Sequence, residues 1–329
     1  MGTKISTSKK QNLIKLKIIF IASFLLYFFS NSLIYAQSNL KTDSDYLVPI
    51  GNIIQIDAEL KNVIVRNYVE GSPFTLGDAI IAINKTPIND YSDFSKLLSS
   101  ISPSDKVSVL VGRGTHNFTL ETTKSELEKV NINGLLSGFA TLTYINPEDN
   151  TFGAIAHPIS VGTSRKVDIR LGNISTTSDL LIQKSVKGSV GSISAKRKDT
   201  IGQFTSNADF GIKGDIVGFD TSNSKSYKVA FLDEVQLGKA QVILQTTSNG
   251  CQKFDIQIID IQKQRSPQAK TLKFKIVDKD LLAQTGGVVQ GMSGTPIVQG
   301  DKIIGAISHA VENDPSFGYA VFIQWMIDN

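Results

Sequence analysis

Gly291-Met292-Ser293-Gly294-Thr295-Pro296, continued by Ile297-Val298 and then by Lys302-Ile-Ile-Gly-Ala-Ile307, is the stretch on which the reading of this chain turns. A serine hydroxyl is a poor nucleophile unless a base takes its proton, and the tetrahedral oxyanion that follows needs preorganised donors. Glycine on each side lets the backbone turn tightly enough to aim two amide N–H groups at one point. Ser293 is therefore the candidate nucleophile, and the amides of Gly291 and Ser293 are the candidate oxyanion hole. An α/β-hydrolase elbow is excluded, because it needs glycine two residues after the serine, where Thr295 stands. Many such serines are only turn residues, so a base has to be found elsewhere.

The chain has three histidines. His116 lies in a Thr-His-Asn turn. His309 lies some fifteen residues beyond the serine, on the strand that follows it. His157 closes Phe152-Gly-Ala-Ile-Ala-His157-Pro158, a run of small residues that delivers an imidazole to a loop. Elimination leaves His157 as the base, and histidine before serine is one of the chain orders known for such pairs. Three scattered histidines and the single Cys251 have no metal-ligand spacing, and no metal or cofactor is expected.

Working outward, the segments between Asn62 and Glu121 are short, Val- and Ile-rich and bounded by Gly, Asn, Pro or Ser, which predicts strands. Tyr91 to Ile101 differs: Phe94, Leu97, Leu98 and Ile101 recur at three and four, which predicts an amphipathic helix. From Asn133 onward strands are expected almost throughout, among them Ala140–Tyr144, Ser189–Ile193, Gln241–Gln245 and Phe254–Ile259. A sandwich or closed barrels result.

The formal charge is +4, but residues 1–36 hold five lysines and no acid. Removing those five from 34 bases leaves 29 against 30 acids. A near-neutral body excludes a nucleic-acid binder built on clustered positive charge. The lysines precede the apolar run Ile18–Phe29, followed by Ser30-Asn31-Ser32 and then Ala36. This reads as a secretory signal with Ala36 at the cleavage edge, or as an uncleaved anchor from Leu16 to Ala36. Either places the rest of the chain outside the cytoplasm. A lone cysteine makes no internal disulfide, so stability rests on core burial.

The serine motif with its hydrophobic hairpin, Ile303–Ala310 then Gly318–Ile323, resembles the C-terminal part of trypsin-like peptidases. That resemblance implies that Ser308, His309 and Ala310 line the primary specificity pocket, with Gly318 on its opposite wall. More closely, Gly138-Phe-Ala-Thr-Leu-Thr-Tyr144, Gly153-Ala-Ile-Ala-His157 and Thr285-Gly-Gly-Val-Val-Gln-Gly-Met-Ser-Gly-Thr-Pro296 resemble the stage IV sporulation protein B peptidases. Ala156 stands where that family usually has glycine, and Thr295 where it usually has serine. The family pattern points to Asp278 as third member of the triad. A helix-capping aspartate is the competing reading, and Asp168 the fallback.

The first domain resembles a PDZ domain. Pro49, Ile50, Gly51, Asn52 and Ile53 fit its peptide-terminus loop, and Gly77-Asp78 its characteristic turn. The resemblance thus implies a signal or anchor over 1–37, a PDZ-like α+β domain over 38–130 and a double β-barrel peptidase over 131–329. It implies a serine endopeptidase acting between the two membranes around a developing spore. There it would cut itself and a membrane-anchored regulator, triggering sigma-factor processing. The alternative is a catalytically silent PDZ adaptor that tethers partners at the membrane.

Overall fold

Strands rich in β-branched residues dominate the molecule, as the sequence predicts, but several are longer than the short segments expected: Ile132–Asn146 and Ile169–Gln183 run 15 residues each and Ser192–Ala208 runs 17. A computed structural model describes residues 45–328 apart from 68, 115, 162–164, 249 and 265, so the N-terminal segment read as signal or anchor lies outside the described residues. Among the described residues no helix is long and apolar enough to cross a membrane.

The strands pair into two closed circuits. In the first, Ile53–Val65 pairs with Ile132–Asn146, then come Thr151–Ala154, Gly211–Ile216, Ser192–Ala208 and Ile169–Gln183, and the last pairs back with Ile53–Val65. Alternate residues of Ile53–Val65 point inward, so Ile54, Ile56, Ala58 and Leu60 join Leu142, Phe152, Ile174 and Phe204 in one core. In the second circuit, Gly238–Thr247 pairs with Gly250–Ile261, then Leu272–Ile276, Phe317–Phe322, Lys302–Ala310 and Pro296–Gln299, and the last returns to Gly238–Thr247. Its core holds Val242, Leu244, Ile256, Phe274 and Ile304. Closing a sheet on itself leaves no edge with unpaired backbone groups.

The small domain has its own core of Val63, Phe74, Ile80, Phe94, Val109 and Leu127. The amphipathic helix forms over Tyr91–Ser99, capped by Asp90, whose carboxylate accepts from the Asp93 amide at 2.8 Å, and it buries Phe94 and Leu98. The Gly77-Asp78 turn is held from within. Asp78 is 1% exposed, accepts from Thr75 and pairs with Arg113 at 2.7 Å. Gly77 sits at φ +87°, where a side chain would be strained.

Strand pairing crosses the boundary expected at 130. Residues 53–59 pair with 135–141 inside the first circuit, whereas Ile64 and Val65 pair with Asn133 and Ile132 in the small domain, with a register shift between. The small domain is thus inserted between two neighbouring strands of the first circuit. Pro49–Ile53, read as a peptide-gripping loop, runs inside the larger body instead. The Ile50 and Gly51 amides donate to the carbonyls of Thr143 and Leu142, and the Ile53 amide donates to Gln245 Oε1 at 3.1 Å. A Cβ on Gly51 would lie 2.3 Å from the Ile243 carbonyl oxygen. The first two bonds hold this segment to Ile132–Asn146 of the first circuit and the third ties it to Gly238–Thr247 of the second, so none of these three amides can grip a ligand.

Candidate active site

The serine loop enters the strand Pro296–Gln299 of the second circuit. Gly291 and Gly294 adopt φ +104° and +93°. At Gly294 an added Cβ would lie 2.4 Å from the Thr141 carbonyl oxygen and 2.6 Å from the Ile155 nitrogen. Only glycine fits there, for reasons of both space and conformation. The amides around the loop are tied down: Gln290 donates to Gly191, Met292 to Val289, Gly294 to Ile307 and Thr295 to Met292. Those of Gly291 and Ser293 donate to no group among the described residues. Two unpaired N–H groups, alternating with fixed neighbours, are what an oxyanion site requires.

Thr141, from the first circuit, clamps this loop, and sequence reasoning did not single it out. Its amide donates to the Ser293 carbonyl at 2.9 Å and its hydroxyl to the Gly291 carbonyl at 2.8 Å. Thr295 is fully buried, with its hydroxyl on the Met292 carbonyl at 2.7 Å, so the threonine found there serves the same turn. A polar residue inside the run Phe139–Ile145, otherwise apolar or aromatic at most positions, was the available signal.

His157 follows strand Thr151–Ala154 after Ile155, which sits at φ +60°. A β-branched residue in the left-handed region is an outlier, costing about 1–3 kcal/mol, and it stands two residues before the imidazole. His157 Nδ1 donates to the Pro158 carbonyl at 3.0 Å, because a carbonyl oxygen can only accept. That bond leaves Nε2 as the nitrogen available to a substrate. Burial holds the His157 pKa below the ordinary imidazole value, the Pro158 bond opposing, so the ring is neutral near pH 7 and can act as a base.

His309 lies beside it, with ring centroids 5.8 Å apart and planes inclined by 47°. Its Nδ1 is buried without a partner, and burial, with the positive charges of His157 and Lys270, pushes its pKa down to about 4. Ser293 Oγ is likewise buried and makes no hydrogen bond. Ser293, His157 and His309 all face one cleft of about 790 Å³ between the two circuits. The serine–histidine hydrogen bond is not formed in this state. Such bonds commonly tighten only when substrate arrives.

Asp278 is not beside the histidine. Its Oδ1 accepts from the amides of Asp280 and Leu281 at 3.0 and 2.9 Å, capping helix Lys279–Thr285, and its Oδ2 accepts from the Asp255 amide at 3.2 Å. Both oxygens serve the helix start and the neighbouring strand, so the capping reading replaces the triad reading. Asp168 is exposed, and its backbone carbonyl holds Lys61. Among the described residues no carboxylate reaches His157 Nδ1. Ser293 and His157 share the cleft without a carboxylate beside them.

Ser308, His309 and Ala310 do line the cleft. Gly318 does not: a Cβ there would meet the Phe274 ring at 2.5 Å, so that position is a packing contact and not an opposite wall. In the small domain, Ile64 is paired on one side by Ala79 and on the other by Asn133. Gly134 lies against Tyr91 at the start of the helix, with 3.8 Å from its Cβ position to the Tyr91 backbone. Ile64 thus has backbone partners on both sides and offers no free strand edge for an added peptide. Among the described residues no cluster of three or more His, Cys, Asp or Glu could hold a metal.

Comparison with known families gives two matches. The family described as SpoIVB peptidase S55 matches residues 130–327, and the PDZ domain family matches residues 41–123. No curated protein matches the chain.

Proposed function

Because the chain belongs to the SpoIVB peptidase S55 family and is a serine peptidase, we propose that Ser293 and His157 perform the cut as a dyad, with Gly291 and Ser293 as the oxyanion donors. The observation that carries this is the pair of unpaired amides flanking a buried Ser293 hydroxyl, in one cleft with a neutral histidine. Ser293 Oγ attacks the peptide carbonyl carbon while its proton passes to His157 Nε2. The carbonyl π pair moves to oxygen, and the two amides stabilise that oxyanion. Its collapse expels the amine, which takes the proton back from Nε2 and leaves an ester on Ser293. Water, deprotonated by Nε2, then attacks the ester and releases the acid. The Pro158 carbonyl serves where a carboxylate usually does, holding the tautomer and facing the charge that develops on the ring.

The substrate in this reading is a membrane-anchored regulatory protein, cut in the space between forespore and mother cell so that sigma-factor processing can follow. The chain also cuts itself near the linker at 37–46. The apolar N-terminal run exports it or anchors it. Family membership, the lysine-flanked apolar run and the polar linker support this. A time course of residues 37–329 followed by intact mass tests it, wild type beside Ser293→Ala. Stepwise shortening in the wild type alone is expected. Two intact proteins, with no labelling of Ser293 by a serine-directed phosphonate, would favour the silent adaptor.

A further inference from the structure

The strand Ile132–Asn146 is covered along the whole of one edge but only along part of the other. On the first edge it pairs with Ile53–Val65 from Thr141 out to Leu135. On the second, Thr151–Ala154 covers Leu142 to Asn146 and goes no farther. Thr141 closes that ladder: its carbonyl accepts from the Ile155 amide at 3.3 Å, and its amide donates to the Ser293 carbonyl at 2.9 Å. Along residues 135–140 no strand among the described residues lies on this second edge. Leu136, Ser137, Gly138, Phe139 and Ala140 all line the cleft that holds Ser293 and His157.

The ladder fixes which backbone groups face the open edge. In an antiparallel pair, opposed residues exchange hydrogen bonds at alternate positions and turn their N–H and C=O outward at the others. Thr141 and its partner Ile53 are an outward pair. Ile53 donates its amide to Gln245 Oε1, and its carbonyl accepts from Thr177 Oγ1 at 2.7 Å. The register runs without a shift from Thr141 to Leu135, so Phe139 and Ser137 repeat the orientation of Thr141. Neither of their amides has another partner among the described residues. The row stops at Leu135, whose amide is taken by Asn133 Oδ1 at 2.9 Å. Beyond it Gly134 is buried against Tyr91, and Asn133 pairs with Ile64 of the inserted domain. Alternate unpaired amides and carbonyls are a template for one more strand.

We propose that the substrate segment downstream of the scissile bond binds as an added antiparallel strand on the open edge of residues 135–139, and that the inserted domain marks where this ladder ends. This rests on the peptidase reading above. His157 comes two residues after Ile155, where the covered edge gives way to the open one. It hands its proton to the departing amine, so the downstream segment begins at that point. A chain leaving it toward Leu135 runs opposite to Ile132–Asn146, as Thr151–Ala154 does, which is the antiparallel sense. Recognition then passes through the backbone. The substrate class is an extended, unfolded segment reaching about four residues or more beyond the cut, whatever its side chains.

The test uses the full-length chain. A random peptide library first supplies one peptide with a long downstream segment whose cleavage disappears in Ser293→Ala. Copies with a single backbone N-methyl group at each downstream position are then compared by kcat/KM. Methylation deletes one N–H and leaves every side chain in place. The expected profile alternates: a loss of about tenfold at every second position, where the N–H faces the open edge, and little change between. Ser137→Pro deletes one donor from the edge and none from the ladder with Ile53–Val65. It should lower kcat/KM on the parent peptide about tenfold and flatten the alternation. If that variant does not fold, the profile of the wild type decides alone. Losses without alternation, an alternation confined to positions upstream of the cut, or one that a folded Ser137→Pro leaves unchanged overturn the assignment while leaving the peptidase intact. A library from which no Ser293-dependent product appears overturns both.

Discussion

The two halves of the proposed catalytic site are held in opposite ways. The serine loop is fixed many times over, by two glycines in left-handed backbone, by amides bonded at Gln290, Met292, Gly294 and Thr295, and by Thr141 reaching across from the other circuit. The histidine is held by one hydrogen bond to the next residue's carbonyl and by a strained Ile155 before it. An oxyanion site must be preorganised, since donors that have to move lose their advantage. A proton shuttle has to approach serine, leaving group and water in turn, and tolerates a looser seat. The absence of a carboxylate on Nδ1 belongs to the same division.

The comparison can be broken most severely at Gly294. Gly294→Ala places a Cβ against two backbone atoms and forces alanine into left-handed backbone. The expected loss is about 4 kcal/mol or more, read by urea unfolding. A loss below about 1 kcal/mol would mean that the loop is far less constrained than its geometry says.

Thr141→Val is gentler, because the side chain keeps its volume and loses its hydroxyl. Leaving the buried Gly291 carbonyl without that donor should cost about 2 kcal/mol and lower kcat more than it raises KM. Equal stability with full kcat would show that the cross-circuit clamp is dispensable.

At Asp278, alanine should cost about 1 kcal/mol through the lost helix cap, whereas asparagine, which retains a capping oxygen, should cost little. Unfolding curves of the two variants decide this. A stable Asp278→Asn protein with collapsed kcat would return the aspartate to the histidine and dissolve the dyad.

The mildest test is the pH profile. His157 acts as a base only when neutral, and burial lowers its pKa, so kcat/KM should stay level as pH falls through 6.5 and decline only below it. His309 follows the same sign for stability. Its folded pKa of about 4 lies under the unfolded value of 6.5, so stability is complete above 6.5 and lost as pH falls toward 4. A kcat/KM limb centred above 6.5 would contradict the buried, neutral His157. Thermal melts of His309→Gln should show a shallower decline over the same interval.

Much of this was legible in the residues. The Val- and Ile-rich segments are local patterns that keep their meaning in the fold, and the glycine-flanked serine and His157 come to line one cleft. The strand expected at Ser189–Ile193 was displaced, because Gly191 fits against the Gln183 carbonyl and strand pairing resumes only at Ser192. Ile169–Gln183 was not recognised as a strand at all. Its threonines, serines and asparagine hide the alternation that burial shows once Ile174, Ser175 and Thr177 are covered.

By itself, then, the sequence determined the chemistry of the serine turn, the strand-rich class and the family, since these rest on neighbouring residues whose backbone preferences and side-chain roles act at short range. Only the tertiary structure decided that Pro49–Ile53 serves the larger body, that Asp278 caps a helix, that Thr141 clamps the oxyanion loop and that residues 135–139 keep an open edge in the cleft. Each of those depends on which distant strand pairs alongside, from Thr141 meeting Gly291 to Gln245 meeting Ile53. Strand pairing is set by the closure of each circuit as a whole, through burial and register over many residues, and no local stretch of chain encodes it.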